Sequence, residues 1–190
     1  MLWLLRFPDI GEQNLKQCAV NWANEEIASR IIFTDVAPKQ AHIARAQVVD
    51  LFLDTPECNA HTTAADILWS GTPMLTFPRY KYKMCSRMAS SILSSALPNS
   101  EAGRQAQREL VAISDDDYRE KARRLCHDLR YDPGVYGKGT GRLVELRKIL
   151  FTNRWQSKLF DTRRWVTDLE DAYDRVWNSW VKGEENDIWL

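Results

Sequence analysis

The sequence predicts an α/β fold built on a doubly wound parallel sheet and followed by C-terminal helices. Two observations predict it. Short apolar or β-branched runs alternate with segments of helical periodicity over residues 2–97. The changeovers carry turn residues, at Pro38, at Pro56 and Asn59, and at Gly71-Thr-Pro73.

Leu2–Phe7 is a short apolar strand with no cap or lead-in before it. A parallel-sheet strand needs neighbours on both sides, so the chain is expected to be cut from something longer. Glu12–Ala28 carries Leu15, Ala19, Trp22 and Ala23 at helical spacing. Arg30–Thr34 is a β-branched strand, and Pro38–Gln47 is a helix with proline near its first turn, a favoured place for it. Val48–Leu53 reads as a buried strand, Thr62–Ser70 as a helix and Met74–Phe77 as another strand. Met84–Leu97 is a helix whose small residues Ala89, Ser90, Ser91, Ser94 and Ser95 permit close packing.

Pro98–Glu109 is polar and is expected to be an exposed insertion, with Leu110–Ile113 a final short strand. Ser114-Asp-Asp-Asp117 starts a helix to about Leu129, its first-turn acids favouring the dipole. Arg130–Gly141 reads as a loop. Its Gly137-Lys138-Gly139-Thr140 lacks the glycine spacing and hydroxyl neighbour of a P-loop and is rejected. Arg142–Trp155 and Thr162–Gly183 are helices. The last aligns Val166, Leu169, Tyr173, Val176, Trp177 and Trp180 as a packing face, exposed if its partner surface lies outside the chain. The organisation expected is an α/β lobe over 1–129, a loop over 130–141 and C-terminal helices over 142–190.

The 190 residues fit one domain with a helical appendage, and 44% hydrophobic with 27% charged residues is a globular composition. Lysine and arginine total 26 against 26 acids. Bulk charge therefore points to neither nucleic acid nor an anionic membrane, and any phosphate binding must be local. Cys18, Cys58, Cys85 and Cys126 form no C-x-x-C pair and have no histidine at metal-ligand spacing. They read as reduced thiols of a nuclear and cytoplasmic protein, with no metal and no cofactor expected. No apolar run approaches the roughly 18 residues of a membrane span, and Met1–Pro8 is too short for a signal peptide.

The most telling stretch is Asp54–Pro73. A strand passes through a Pro/Asn/His turn into a helix at Thr62-Thr63. The free N–H groups and positive dipole end of such a helix make an anion site. His61, the two hydroxyls and Asp66 suit a nucleotide diphosphate and its ribose. Thr63-x-x-Asp66 reads as well as a capping box, which needs no ligand. A second loop, Asp35–Arg45, sets Lys39, His42 and Arg45 at three-residue spacing on one helix face. Lysine can donate to ribose oxygens, imidazole can stack on a base, and arginine can bond base carbonyls. Alone such a face is a solvated surface; two strand–helix turns of this kind together favour a nucleotide.

Leu2-Trp-Leu-Leu-Arg-Phe-Pro8, Val36-Ala-Pro-Lys-x-x-His42, Leu53-Asp-Thr-Pro-x-Cys-Asn-x-His-Thr-Thr63, Asp66-x-Leu-Trp-x-Gly-Thr-Pro73 and Leu159-Phe-Asp-Thr162 closely resemble the protein O-linked N-acetylglucosaminyltransferases. The resemblance covers nearly the whole chain and matches the C-terminal half of the family's catalytic region. It implies a Rossmann-like donor-binding lobe of a GT-B glycosyltransferase. It implies that the Ala37 backbone, His42 and Arg45 hold uracil, Lys39 and Asp66 the ribose, and His61, Thr62 and Thr63 the diphosphate. The implied reaction is inverting, metal-independent transfer of N-acetylglucosamine from UDP-GlcNAc to Ser/Thr hydroxyls of protein substrates.

Family members also have an upstream lysine segment, an N-terminal lobe with a catalytic-site histidine, and tetratricopeptide repeats. The catalytic residues are therefore expected outside these 190 residues, and the isolated chain is expected to bind UDP weakly at best and not to turn over. Two alternatives stay open. One is a non-catalytic remnant or protein-interaction module using the aromatic C-terminal helix. The other is a protein O-fucosyltransferase using GDP-fucose, since that family shares the double threonine.

Overall fold

The computed structural model describes all residues except 7, 133, 135–138, 185, 186 and 188–190. It is a mixed α/β structure with short parallel sheets, divided into two compact units, Met1–Arg45 and Ala46–Leu190.

In the first unit, strand β1 (Leu2–Leu5) pairs in parallel with β2 (Ile31–Thr34), Leu2 opposite Ile31 and Leu5 opposite Thr34. Trp3 Nε1 donates to Thr34 Oγ1 at 2.7 Å across the pair. The crossover is α1 (Asp9–Trp22) and α2 (Glu25–Ala28). The single helix predicted over Glu12–Ala28 is thus two. The chain breaks at Ala23, and the Asn24 side chain accepts from Ile27 N at 2.9 Å, capping α2. Asparagine is among the preferred cap residues, and its local bond wins over helix continuation. No residue of α1 is buried, and Trp22 is 92% exposed. Helix α3 (Lys39–Ala46) then runs to the unit boundary.

The second unit holds most of the core. Strands β3 (Phe52–Leu53) and β4 (Met74–Leu75) pair in parallel, and Thr76 bridges Val111 in parallel beyond them. Between them α4 (Thr62–Trp69) buries Ala64, Ile67 and Leu68. The helix ends as its Gly-Thr-Pro sequence predicts. Gly71 has φ +80°, Gly71 N bonds Leu68 O at 3.0 Å, and Thr72 N bonds Ile67 O at 3.2 Å. This double closure uses the left-handed residue that glycine supplies without strain. It returns the chain to β4.

A 3₁₀ turn (Met84–Ser86) leads into α5 (Met88–Ala96), which buries Ala89, Leu93 and Ala96; of the small residues expected to pack closely only Ala89 is buried, and Ser91 and Ser94 are exposed. The segment expected as an exposed polar insertion is instead helix α6 (Glu101–Leu110) with a buried face. Ser100 caps it by accepting from Gly103 N at 3.2 Å. Gly103, Ala106 and Leu110, spaced by three and four, face the core. A narrow stripe of small residues is easily missed when the rest of a helix is charged. The strand expected over Leu110–Ile113 reduces to the Val111 bridge, with Ile113 exposed.

Helix α7 (Asp115–His127) is capped by Ser114, which accepts from Asp117 N at 3.1 Å. Asp115, Asp116 and Asp117 lie in its first turn, with Arg124 and His127 in the last, so both ends complement the dipole. Within the predicted 130–141 loop, β5 (Arg130–Tyr131) pairs antiparallel with β6 (Gly139–Thr140). Gly137 and Lys138 of the rejected P-loop resemblance lie outside the described residues. Helix α8 (Arg142–Asn153) buries Leu143, Leu146 and Leu150 in the core with Leu68, Met74, Leu93, Leu110 and Leu125. Arg147 ties it to the chain before β3 through Gln47 O at 3.0 Å and through Val49 O. Helix α9 (Thr162–Lys182) buries no residue, so its aromatic face is exposed, Trp177 at 63% and Trp180 at 70%. No helix among the described residues is long and apolar enough to cross a membrane.

Candidate functional site

The candidate residues fall on both units. In Met1–Arg45, the turn after β2 carries Ala37 and Pro38 into α3, and His42 N closes its first turn on Pro38 O at 2.9 Å. Proline suits that place because its missing N–H would have had no helical partner. Lys39, His42 and Arg45 all lie on α3, successive ones about 60° apart around a helix of 3.6 residues per turn. Lys39 is exposed, while Ala37, His42 and Arg45 are half-buried.

Arg45 has a structural engagement that spacing alone did not reveal. Its Nη1 donates to Asp35 O at 3.0 Å, and its guanidinium stands 5.6 Å from the Trp3 ring centroid. The Asp35 carboxylate in turn accepts from Arg6 at 2.7 Å, and Arg6 also pairs with Glu12 at 2.7 Å. The loop is therefore braced from both sides. A guanidinium has more donors than one bond uses, so this role leaves Arg45 able to bond a ligand.

In Ala46–Leu190, β3 delivers the chain to Asp54, which is 2% exposed. Its Oδ1 accepts from Ala60 N at 2.7 Å and its Oδ2 from Thr76 Oγ1 at 2.6 Å. Its backbone oxygen accepts from Tyr118 Oη of α7 at 2.8 Å. Burial pushes the Asp54 carboxyl above the usual aspartate range, although the bonds from Thr76 and Ala60 pull the other way. Burial, and after it the Asp54 charge, pushes the Tyr118 phenol well up.

Asn59, also buried, pins the other end of the loop. Its Nδ2 donates to Thr55 O at 3.0 Å, its Oδ1 accepts from Ala89 N at 3.4 Å, and its N donates to Cys85 O at 2.7 Å. Ser86 Oγ adds a bond to Pro56 O at 2.5 Å. Arg79, in the turn after β4, pairs with Glu57 at 2.7 Å and with Asp115. Such bracing gives an irregular segment a single conformation.

The loop ends at α4. The N-cap residue is His61, and its side chain makes no cap hydrogen bond. Thr62 and Thr63 are the first two helical residues, so the capping box that Thr63 and Asp66 suggested is not formed: Thr63 lies inside the helix, not at the cap. Asp66 sits half-buried one turn on. His61 Nε2 is buried and has no hydrogen-bond partner. A helix start with no capping side chain, two hydroxyls and an unpartnered imidazole nitrogen has the donors an oxyanion needs.

No group of three or more His, Cys, Asp or Glu among the described residues is placed to hold a metal ion. Thr76 and Tyr118 were missed by sequence reasoning, and Asp54 and Asn59 stood inside the recognised motif without a role. A carboxylate directly after an apolar strand was the available signal for Asp54; Thr76 and Tyr118 gave none.

Residues 1–169 match glycosyl transferase family 41. The chain is 38% identical over 185 residues to a probable UDP-N-acetylglucosamine–peptide N-acetylglucosaminyltransferase SEC of Arabidopsis thaliana, covering 97% of this chain and 16% of that protein. It is 36% identical over 184 residues to the UDP-N-acetylglucosamine–peptide N-acetylglucosaminyltransferase of Caenorhabditis elegans, covering 96% and 14%. The chain thus spans less than a fifth of either relative. A solved structure of a mutant Thermobaculum terrenum O-GlcNAc transferase superposes with a TM-score of 0.69 at 24% identity, covering 93% of this chain and 30% of that one, a likeness of fold.

Proposed function

Because the chain belongs to glycosyl transferase family 41, we propose that it supplies the donor-binding part of a transferase moving N-acetylglucosamine from UDP-GlcNAc to Ser/Thr hydroxyls of proteins. In this reading it forms a doubly wound, Rossmann-like lobe of the GT-B type over 1–129, with the 142–190 helices appended. The observation that carries the reading is the start of α4. Its N-terminus lacks a side-chain cap, and His61 Nε2 has no partner on a loop that Asp54 and Asn59 hold rigid.

His61, Thr62, Thr63 and the α4 N–H groups bind the diphosphate. The Ala37 backbone, His42 and Arg45 bind the uracil; Lys39 and Asp66 bind the ribose. As the acceptor hydroxyl attacks the anomeric carbon, negative charge grows on the departing UDP. Fixed helix dipoles, hydroxyls and a cationic side chain stabilise such charge with little reorganisation, so the transfer needs neither a metal nor a cofactor. Four free cysteines are compatible with a nuclear and cytoplasmic setting.

Calorimetric titration of the chain with UDP and GDP tests the reading. UDP is expected to bind, GDP to bind far more weakly, and His61→Ala to weaken UDP. Equal affinity for the two nucleotides, or no UDP binding by a folded chain, would sink it. The relatives' names speak for a UDP-sugar over GDP-fucose and for an enzyme over an interaction module.

A further inference from the structure

Cys58 lies in the loop between β3 and α4, and Cys85 in the 3₁₀ turn before α5, far apart in sequence. The fold brings them together. Asn59 N, the amide next to Cys58, donates to Cys85 O at 2.7 Å. Cys85 Sγ donates to Glu57 O, the carbonyl of the peptide leading into Cys58, at 3.9 Å. Cys58 Sγ donates to Asn59 O at 3.9 Å, and among its titratable neighbours the Cys85 sulfur acts on it most strongly. Ser86 Oγ on Pro56 O, at 2.5 Å, holds the same two segments in register. Both cysteines are free thiols, Cys58 exposed and Cys85 half-buried.

We propose that Cys58 and Cys85 are a redox pair, a modification site that closes reversibly to a disulfide under a peroxide. The Cys58 thiolate attacks one peroxide oxygen, the O–O bond breaks, and water leaves, giving a sulfenic acid. Cys85 sulfur then attacks the Cys58 sulfur, the S–O bond breaks, and a second water leaves. Two thiols and one hydrogen peroxide become one disulfide and two waters, with the electrons passing from sulfur to oxygen. Cys58 goes first because it is the exposed partner. The product staples the loop that carries His61 to the turn before α5, where now only hydrogen bonds join them.

Partial desolvation of its sulfur and the neighbouring Cys85 hold the Cys58 thiol above its ordinary value although the residue is exposed, against a smaller opposing pull from Lys83. The thiolate is therefore scarce at neutral pH, so its attack on a peroxide is slow. None of this depends on what the chain binds.

The test is peroxide treatment of the 190-residue chain, alkylation, and non-reducing peptide mapping by mass. The expected product is a Cys58–Cys85 linked peptide, two hydrogens lighter than its parts and restored by dithiothreitol, with Cys18 and Cys126 still alkylated. In Cys85→Ser, Cys58 is expected to stop at the sulfenic acid and to be trapped by dimedone. A map in which Cys58 and Cys85 stay unlinked, or in which links to Cys18 or Cys126 dominate, overturns the proposal. So does a Cys58→Ser chain in which Cys85 is trapped as readily as Cys58 is in the reverse variant. The wild-type map decides even if a variant fails to fold.

Discussion

The Asp54 carboxylate accepts a 2.6 Å hydrogen bond from Thr76 Oγ1, joining the residue after β3 to the residue after β4. These two side chains fix where the first loop of the second unit departs from its sheet. The other Asp54 oxygen, on Ala60 N at 2.7 Å, fixes where the loop arrives beside α4.

Thr76→Val keeps the shape at Thr76 but leaves one oxygen of a buried carboxylate without its donor. Such a loss costs about 1–3 kcal/mol, and denaturant unfolding should show it. The same change should raise the Asp54 pKa further, because a bond to the charged form is removed. Asp54 already sits above the usual range. Its contribution to stability is therefore full at pH below the unfolded value near 4 and falls as pH rises through the higher folded value. Carboxyl NMR titration reads the midpoint directly; an Asp54 midpoint at or below the ordinary aspartate value would refute this account.

His61→Ala should spare the fold and weaken UDP. The side chain makes no cap hydrogen bond, and its Nε2 satisfies no protein group. If it meets a diphosphate oxygen, removal costs about 1.5–3 kcal/mol, a loss of about 10- to 150-fold in affinity. Unfolding midpoints and calorimetry are to be measured together. Unchanged affinity in a folded variant would remove His61 from the site.

Gly103→Ala should destabilise, although alanine is the better helix former. The added Cβ would stand 1.9 Å from Pro98 O, a backbone atom that cannot turn aside. Overpacking of this kind costs about 1–3 kcal/mol or more. Gln105→Ala on the exposed face of α6 is the control and should be close to neutral. Equal thermal midpoints for both variants would mean that α6 is not packed as described.

Trp177→Gln should change folding stability by less than about 0.5 kcal/mol. The ring lies on the exposed face of α9, its centroid 5.3 Å from that of Trp180. Chemical denaturation is the measurement, and a large loss of stability would mean that the side chain is buried in solution.

Much of this protein is written in short-range signals. The Schellman closure at Gly71-Thr72, the proline entering α3, the Ser114 cap of α7 and the glycine ending α9 each depend on a few adjacent residues. The Asp54–Pro73 motif disclosed the family and the candidate phosphate-facing residues for the same reason, since they are neighbours along the chain. Other features depend on contacts between residues distant in sequence. Thr76 meets Asp54 across 22 positions, Tyr118 meets it across 64, and Asn153 reaches Ala96 across 57. Periodicity reports which residues share a face of one element, and it carries no term for what that face meets. Packing alone therefore gave a charged stretch, as helix α6, one buried face, made Asp54 the anchor of a loop, and left the α9 aromatics in solvent.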